Sequence, residues 1–126
     1  MKRLLASAML ALPIQQAWAA HPIACNLNVF TPAERIQHRT LIALLKAAIS
    51  ERSELPDGYG FRLSRETISL EQLAVWAALE SKCCPFFDFQ LELSPQPAGL
   101  LWLRLRGSEG VKEFIHFEVA APPTGD

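Results

Sequence analysis

The chain has 126 residues, half of them hydrophobic, with 12 basic and 13 acidic side chains and a formal net charge of −1. That length suits one domain, the apolar content excludes wholesale disorder, and the intermixed charges leave no basic face for nucleic acid. DNA and RNA are therefore not expected as partners.

The first segment has the layout of a secretory signal. Lys2 and Arg3 precede the apolar run Leu4 to Leu12, and a short polar stretch ends in Ala17-Trp18-Ala19-Ala20, which sets small residues before a cut after Ala19. The expected organisation is a signal peptide over 1–19, a single α+β domain over 20–119, and a proline-rich disordered tail over 120–126. The apolar run is too short for a bilayer anchor, so no stable membrane span is expected after cleavage. The expected location is the periplasm or the cell exterior; uncleaved, the same segment would be an N-terminal helix of a cytoplasmic protein. Export would place all the cysteines, Cys25, Cys83 and Cys84, in an oxidising compartment.

From residue 21 to Phe30 the chain reads as an extended lead-in. Thr31, Pro32 and Glu34 then form a capping box with proline in the first turn. The apolar stripe Ile36, Leu41, Leu44, Leu45, Ala48 and Ile49 carries this helix to about Arg52. Leu55-Pro56-Asp57-Gly58 is a turn, and Tyr59, Phe61 and Leu63 alternate as a short strand. Ser69 and Gln72 cap a second helix bearing Leu70, Leu73, Trp76, Ala77, Leu79 and Cys83. The period then changes: Phe87, Phe89, Leu91 and Leu93 alternate with Asp88, Gln90 and Glu92, a strand with one wet face. A loop over 94–99 leads to its partner, Leu101, Leu103 and Leu105, with Trp102, Arg104 and Arg106 opposite, so that Asp88 and Glu92 can pair with Arg104 and Arg106. Gly107-Ser108-Glu109 opens a short helix through Val111, Phe114 and Ile115.

The expected fold is α+β: a small antiparallel sheet with two main helices on one face and a short C-terminal helix. Its core should hold Phe87, Phe89, Leu91, Leu101, Leu103, Leu105, Leu44, Leu73 and Trp76.

Chemistry concentrates where the second helix stops. Pro85 drives Cys84 out of the helical region, so the helix should end at Cys83, and the bend can bring both sulfurs to a common point. A bond between these neighbours would be strained, because adjacent Cα atoms stand only about 3.8 Å apart. Three arrangements remain open: a soft-ion site, a disulfide from Cys25 to Cys83 or Cys84 with one thiol left over, or small buried apolar side chains. Glu80, one turn before the pair, is a fourth ligand, a hydrogen-bond partner, a base or a solvated charge. Lys82 is expected to face water. His21, at the new N-terminus, His38, on the outer side of the first helix, and His116, near the end of the third, have no metal spacing to a cysteine and read as surface residues. No Ser-His-Asp order, phosphate loop or His-Glu-x-x-His motif occurs.

Glu80-Ser81-Lys82-Cys83-Cys84-Pro85-Phe86, with Cys25-Asn26-Leu27, Glu34-Arg35, Pro56-Asp57-Gly58-Tyr59 and Gly107-Ser108-Glu109-Gly110, resembles a family of small uncharacterised bacterial proteins marked by Glu-x-x-Cys-Cys-Pro-Phe. Some of its members are joined to, or encoded near, metal-responsive regulators of the mercury-resistance type. The resemblance implies a soft-metal or metalloid connection, with Cys25, Cys83 and Cys84 as ligands and Glu80 beside them. It differs in one respect, since most relatives look cytoplasmic.

The leading functional expectation is a non-enzymatic binder of a soft ion such as zinc, copper(I), mercury or arsenite, or of a small thiol-reactive species. One alternative is a thiol-redox enzyme in which Cys84 attacks and Cys83 or Cys25 resolves. The other is a structural module whose cysteines are disulfide-bonded or buried.

Overall fold

The computed structural model describes residues 23–95 and 99–120. The signal-like segment 1–19, His21 and residues 121–126 of the expected tail lie outside them, while Ala120, the first residue of that tail, ends a helical stretch. Two hairpins lie side by side with the second strand of each in the middle. The first pairs β1 (Ile49–Leu55) with β2 (Gly58–Leu63), and the second pairs β3 (Asp88–Leu93) with β4 (Leu101–Arg106). β2 and β4 join them, so the sheet runs β1-β2-β4-β3 and is antiparallel throughout. Helix α1 (Pro32–Ala48) precedes the first hairpin, α2 (Leu70–Cys83) links the two, and the short α3 (Val111–Ile115) follows, continuing as a π-helical stretch over His116–Ala120. The fold is α+β with a short C-terminal helix.

Both long helices start as their sequences dictate. Thr31 Oγ1 accepts from the Glu34 amide while Glu34 accepts from the Thr31 amide, each at 3.1 Å. Ser69 and Gln72 repeat the exchange at 3.0 Å. Each box satisfies two amides that the first helical turn cannot. The proline effect at the far end of α2 is also as expected: the helix stops at Cys83, and Cys84 has φ −126°.

One element departs from the sequence reading. α1 ends at Ala48 rather than Arg52, and Ile49–Leu55 forms a strand. Ser50-Glu51-Arg52-Ser53-Glu54 has no apolar alternation and contains good helix formers, so its local pattern suggests the end of a helix. Pairing with β2 overrides that preference. Ser64 N–H donates to the Ala48 carbonyl at 2.8 Å, Ser50 Oγ donates to the Arg62 carbonyl at 3.2 Å, and the register shifts between Ile49 and Glu51. The result is a charged edge strand, a common protection against pairing with other chains.

The core lies between sheet and helices. Phe61 and Leu63 of β2 and Leu101, Leu103 and Leu105 of β4 are buried, together with Leu41, Leu45 and Ala48 of α1 and Leu73, Trp76 and Leu79 of α2. Phe87 is buried as expected, while Phe89, Leu91 and Leu44 pack against the core only partly buried; for Phe89 and Leu91 the cause is that β3 is an edge strand. Ile36, assigned to the apolar stripe of α1, is 64% exposed because, at about 100° per residue, it lies on the side of the helix away from Leu41 and Leu45. Asp88, Gln90 and Glu92 face water. Arg104 pairs with Glu92 at 3.2 Å, whereas Arg106 turns to Asp57 at 3.5 Å.

Candidate functional site

Backbone geometry brings the lead-in to the end of α2. The Asn26 amide donates to the Cys83 carbonyl at 3.0 Å, satisfying one of the carbonyls a helix terminus leaves free. Leu27–Val29 then coils into a single 3-10 turn, and Arg35 of α1 reaches back to the Leu27 carbonyl at 3.1 Å. Cys25 thereby meets Cys84: the two are disulfide-bonded, with Cα atoms 4.8 Å apart, inside the usual range. Cys83 remains a free, buried thiol whose sulfur lies 3.6 Å from that of Cys84 and 3.5 Å from the Glu80 carbonyl. The Cys83 S–H donates to the Glu80 carbonyl, and its sulfur also touches that of Cys84, which is bonded and carries no proton.

Glu80 completes the group. One ligand atom each from Cys25, Glu80, Cys83 and Cys84 lies within 4.8 Å of all the others, a set of donors able to hold a metal ion. Far from being a solvated charge, Glu80 is 6% exposed. Its Oε1 is 3.6 Å from the Cys25 sulfur and its Oε2 is 2.5 Å from His38 Nε2. Burial pushes the Glu80 carboxyl above its usual range, and His38 pulls it back by hydrogen bond and charge. Burial, helped by the Glu80 charge, pushes the Cys83 thiol up to about 12.

His38 corrects the sequence reading. It is not a surface residue of the outer helix face; its side chain is 13% exposed, and it stacks against Phe30 at 5.0 Å between ring centroids. No spacing signal could have found it, because its partner lies 42 positions away. The one hint is that it lies near the start of α1, which follows Cys25 closely. Lys82 faces water as expected, and from there it pairs with Glu34 at 2.8 Å, tying the end of α2 to the start of α1. His116 is exposed, as expected, beside the Tyr59 hydroxyl at 3.5 Å.

A cavity of about 520 Å³ opens onto the cluster between α1, the lead-in and the last helical stretch. Cys25, His38 and Glu80 line it, and Cys83 and Cys84 do not. Cys84, the attacking thiol of the redox alternative, is fully buried and already bonded. Cys25 is the cysteine that lines the cavity.

The chain matches no protein-family model, no curated protein and no solved structure. The functional reading therefore stands on the geometry and chemistry of the cluster.

Proposed function

We propose that the reduced protein holds one soft metal ion or metalloid through the thiolates of Cys25, Cys83 and Cys84, with Glu80 as an adjacent oxygen donor. The observation that carries this reading is the convergence of four donor atoms within 4.8 Å from segments far apart in sequence. Two thiolates sharing an ion at about 2.3 Å stand roughly 3.8 Å apart in a tetrahedral site, close to the 3.6 Å between Cys83 and Cys84. Soft sulfur donors suit zinc, copper(I), mercury and arsenite, and the likeness of the Glu-x-x-Cys-Cys-Pro-Phe segment to proteins near mercury-type regulators points the same way. The Cys25–Cys84 bond must open first, because only thiolates bind. In this reading the disulfide is the closed form of the site. If residues 1–19 direct export, the redox state of the periplasm or exterior sets how much of the protein is open.

The test is titration of the fully reduced chain with each ion, followed by thiolate-to-metal absorption and native mass spectrometry. One equivalent bound, and loss of binding in Cys83→Ala, is the expected result. Absence of a complex at micromolar protein, or an unchanged affinity in Cys83→Ala, would refute the proposal.

The Cys25–Cys84 disulfide itself favours a second reading, thiol–disulfide exchange with a small partner.

A further inference from the structure

The cavity is built asymmetrically in both access and charge. Of the clustered cysteines only Cys25 lines it; Cys83 and Cys84 are 1% and 0% exposed. An external nucleophile entering from this side can reach one end of the disulfide only. The walls combine apolar groups, among them Ile42 and Phe114, with three cations projecting from α1, Arg35, Arg39 and Lys46. Among the described residues Arg39 and Lys46 form no ion pair. Glu118 also lines the cavity, and Glu80 is engaged by His38. The balance is positive, and the volume falls within the range of about 300–1,000 Å³ typical of small-molecule sites.

We propose that this cavity docks a small organic thiol carrying a carboxylate, and that its sulfur opens the disulfide by attack on Cys25. The inference rests on the exchange reading and needs no metal. The incoming thiolate forms a new S–S bond to Cys25 Sγ as the Cys25–Cys84 bond breaks. The electron pair of the broken bond leaves on Cys84 Sγ, which takes up the proton that the entering thiol released. The Cys83 thiol lies 3.6 Å away, and its S–H can turn from the Glu80 carbonyl to donate a hydrogen bond to that departing, fully buried sulfur. A second equivalent of the same thiol then attacks the ligand sulfur of the mixed disulfide, releasing the symmetrical small disulfide and a free Cys25. One protein disulfide is reduced and two small thiols are oxidised. Cations at the cavity raise the local concentration of the anionic thiol, an advantage that salt screens over about 8–10 Å at ordinary ionic strength.

The experiment uses the oxidised full chain with chelator present and three monothiols: 3-mercaptopropionate, 2-mercaptoethanol and cysteamine. Exchange rates are corrected to thiolate concentration and for thiol basicity, because nucleophilicity changes with both. Adducts are trapped by acid and located by peptide mass. The expected order is carboxylate over neutral over cationic, with at least about a five-fold step between the first two at low salt, shrinking as salt is added. The adduct should be on Cys25. In the Arg39→Ser/Lys46→Ser double variant, whose altered side chains are exposed, the carboxylate thiol should fall to the neutral thiol's rate while the neutral rate holds. Equal corrected rates for all three thiols, or an adduct on Cys84, would overturn the proposal and leave the exchange reading standing. A disulfide that no thiol opens in the folded chain would overturn both.

Discussion

The Asn26 amide and the Cys83 carbonyl are hydrogen-bonded at 3.0 Å, so the lead-in is attached to α2 by backbone as well as by the neighbouring disulfide. Reduction should therefore loosen the segment without releasing it. The disulfide closes a loop with a sequence separation of 59, and a loop of that size constrains the unfolded chain by about 4 kcal/mol in the chain-entropy treatment. Cys25→Ser is expected to remain folded while losing about 3–4 kcal/mol in urea unfolding against the oxidised parent. A loss below about 1 kcal/mol would contradict this account.

Thiol counting should distinguish the three cysteines. Cys83 is 1% exposed and its thiol is pushed up to about 12, so the oxidised native protein should react with almost no alkylating reagent at pH 8, and with one equivalent after denaturation. After mild reduction Cys25 should be labelled first, because it alone lines the cavity. Mass mapping that found Cys83 labelled in the native state would refute the assigned burial.

Loss of the buried His38–Glu80 contact should have a pH-dependent cost. Removing one member of such a pair costs about 3–5 kcal/mol, because the other is left buried and charged. In His38→Ala the Glu80 carboxyl, already raised by burial, keeps that burial and loses the partner that pulls it down, so its folded-state pKa rises further above the unfolded one. A carboxyl raised in this way penalises the fold when ionised, and the penalty is relieved as pH falls and the folded state takes up the proton. Unfolding of His38→Ala should thus show a deficit of about 3 kcal/mol at pH 7 that narrows toward pH 5. A deficit constant across that interval would argue that the lost contact with Phe30 matters more than charge.

Gly58 begins β2 opposite Arg106, and a Cβ there would run into the backbone carbonyl of Leu105. A backbone atom in the central strand cannot step aside as a side-chain end can. Gly58→Ala is expected to cost about 2–3 kcal/mol, at the upper end of overpacking penalties. Gly60→Ala meets only ordinary contacts at 3.7 Å and serves as the control; equal thermal shifts in the two would refute the clash.

The capping boxes should matter more than the ion pair that joins the same helices. Thr31→Ala should lose about 1 kcal/mol, whereas Lys82→Ala, which removes the exposed contact with Glu34, should lose no more than about 0.5 kcal/mol. Chemical unfolding of the two single variants decides the order.

Much of this arrangement is legible in the residues, for reasons that differ by element. The capping boxes and the break at Pro85 are local chemistry, so they can be read where they stand. The alternation over Phe87 to Leu93 and Leu101 to Leu105 reports burial on one side of a sheet, and its register followed. β1 is hidden because its pairing partner, not its own composition, selects the strand. At the cluster, the importance of Cys83, Cys84 and Glu80 follows from their position at the end of one helix, but the choice of Cys84 as the partner of Cys25 depends on where the Asn26 amide docks. His38 was out of reach for the same reason: a contact spanning 42 positions leaves no periodic trace.

β4 is the last strand made, yet it occupies the middle of the sheet. A chain emerging from its N-terminus has both Cys25 and Cys84 available before β4 exists. If they join at that stage, residues 25–84 close into a ring that contains only β1 and β2 of the sheet. The later hairpin can still add along the open edge of β2 from outside the ring, with no need to thread it. The order of strands thus permits the crosslink to form during synthesis without trapping the chain short of its final topology.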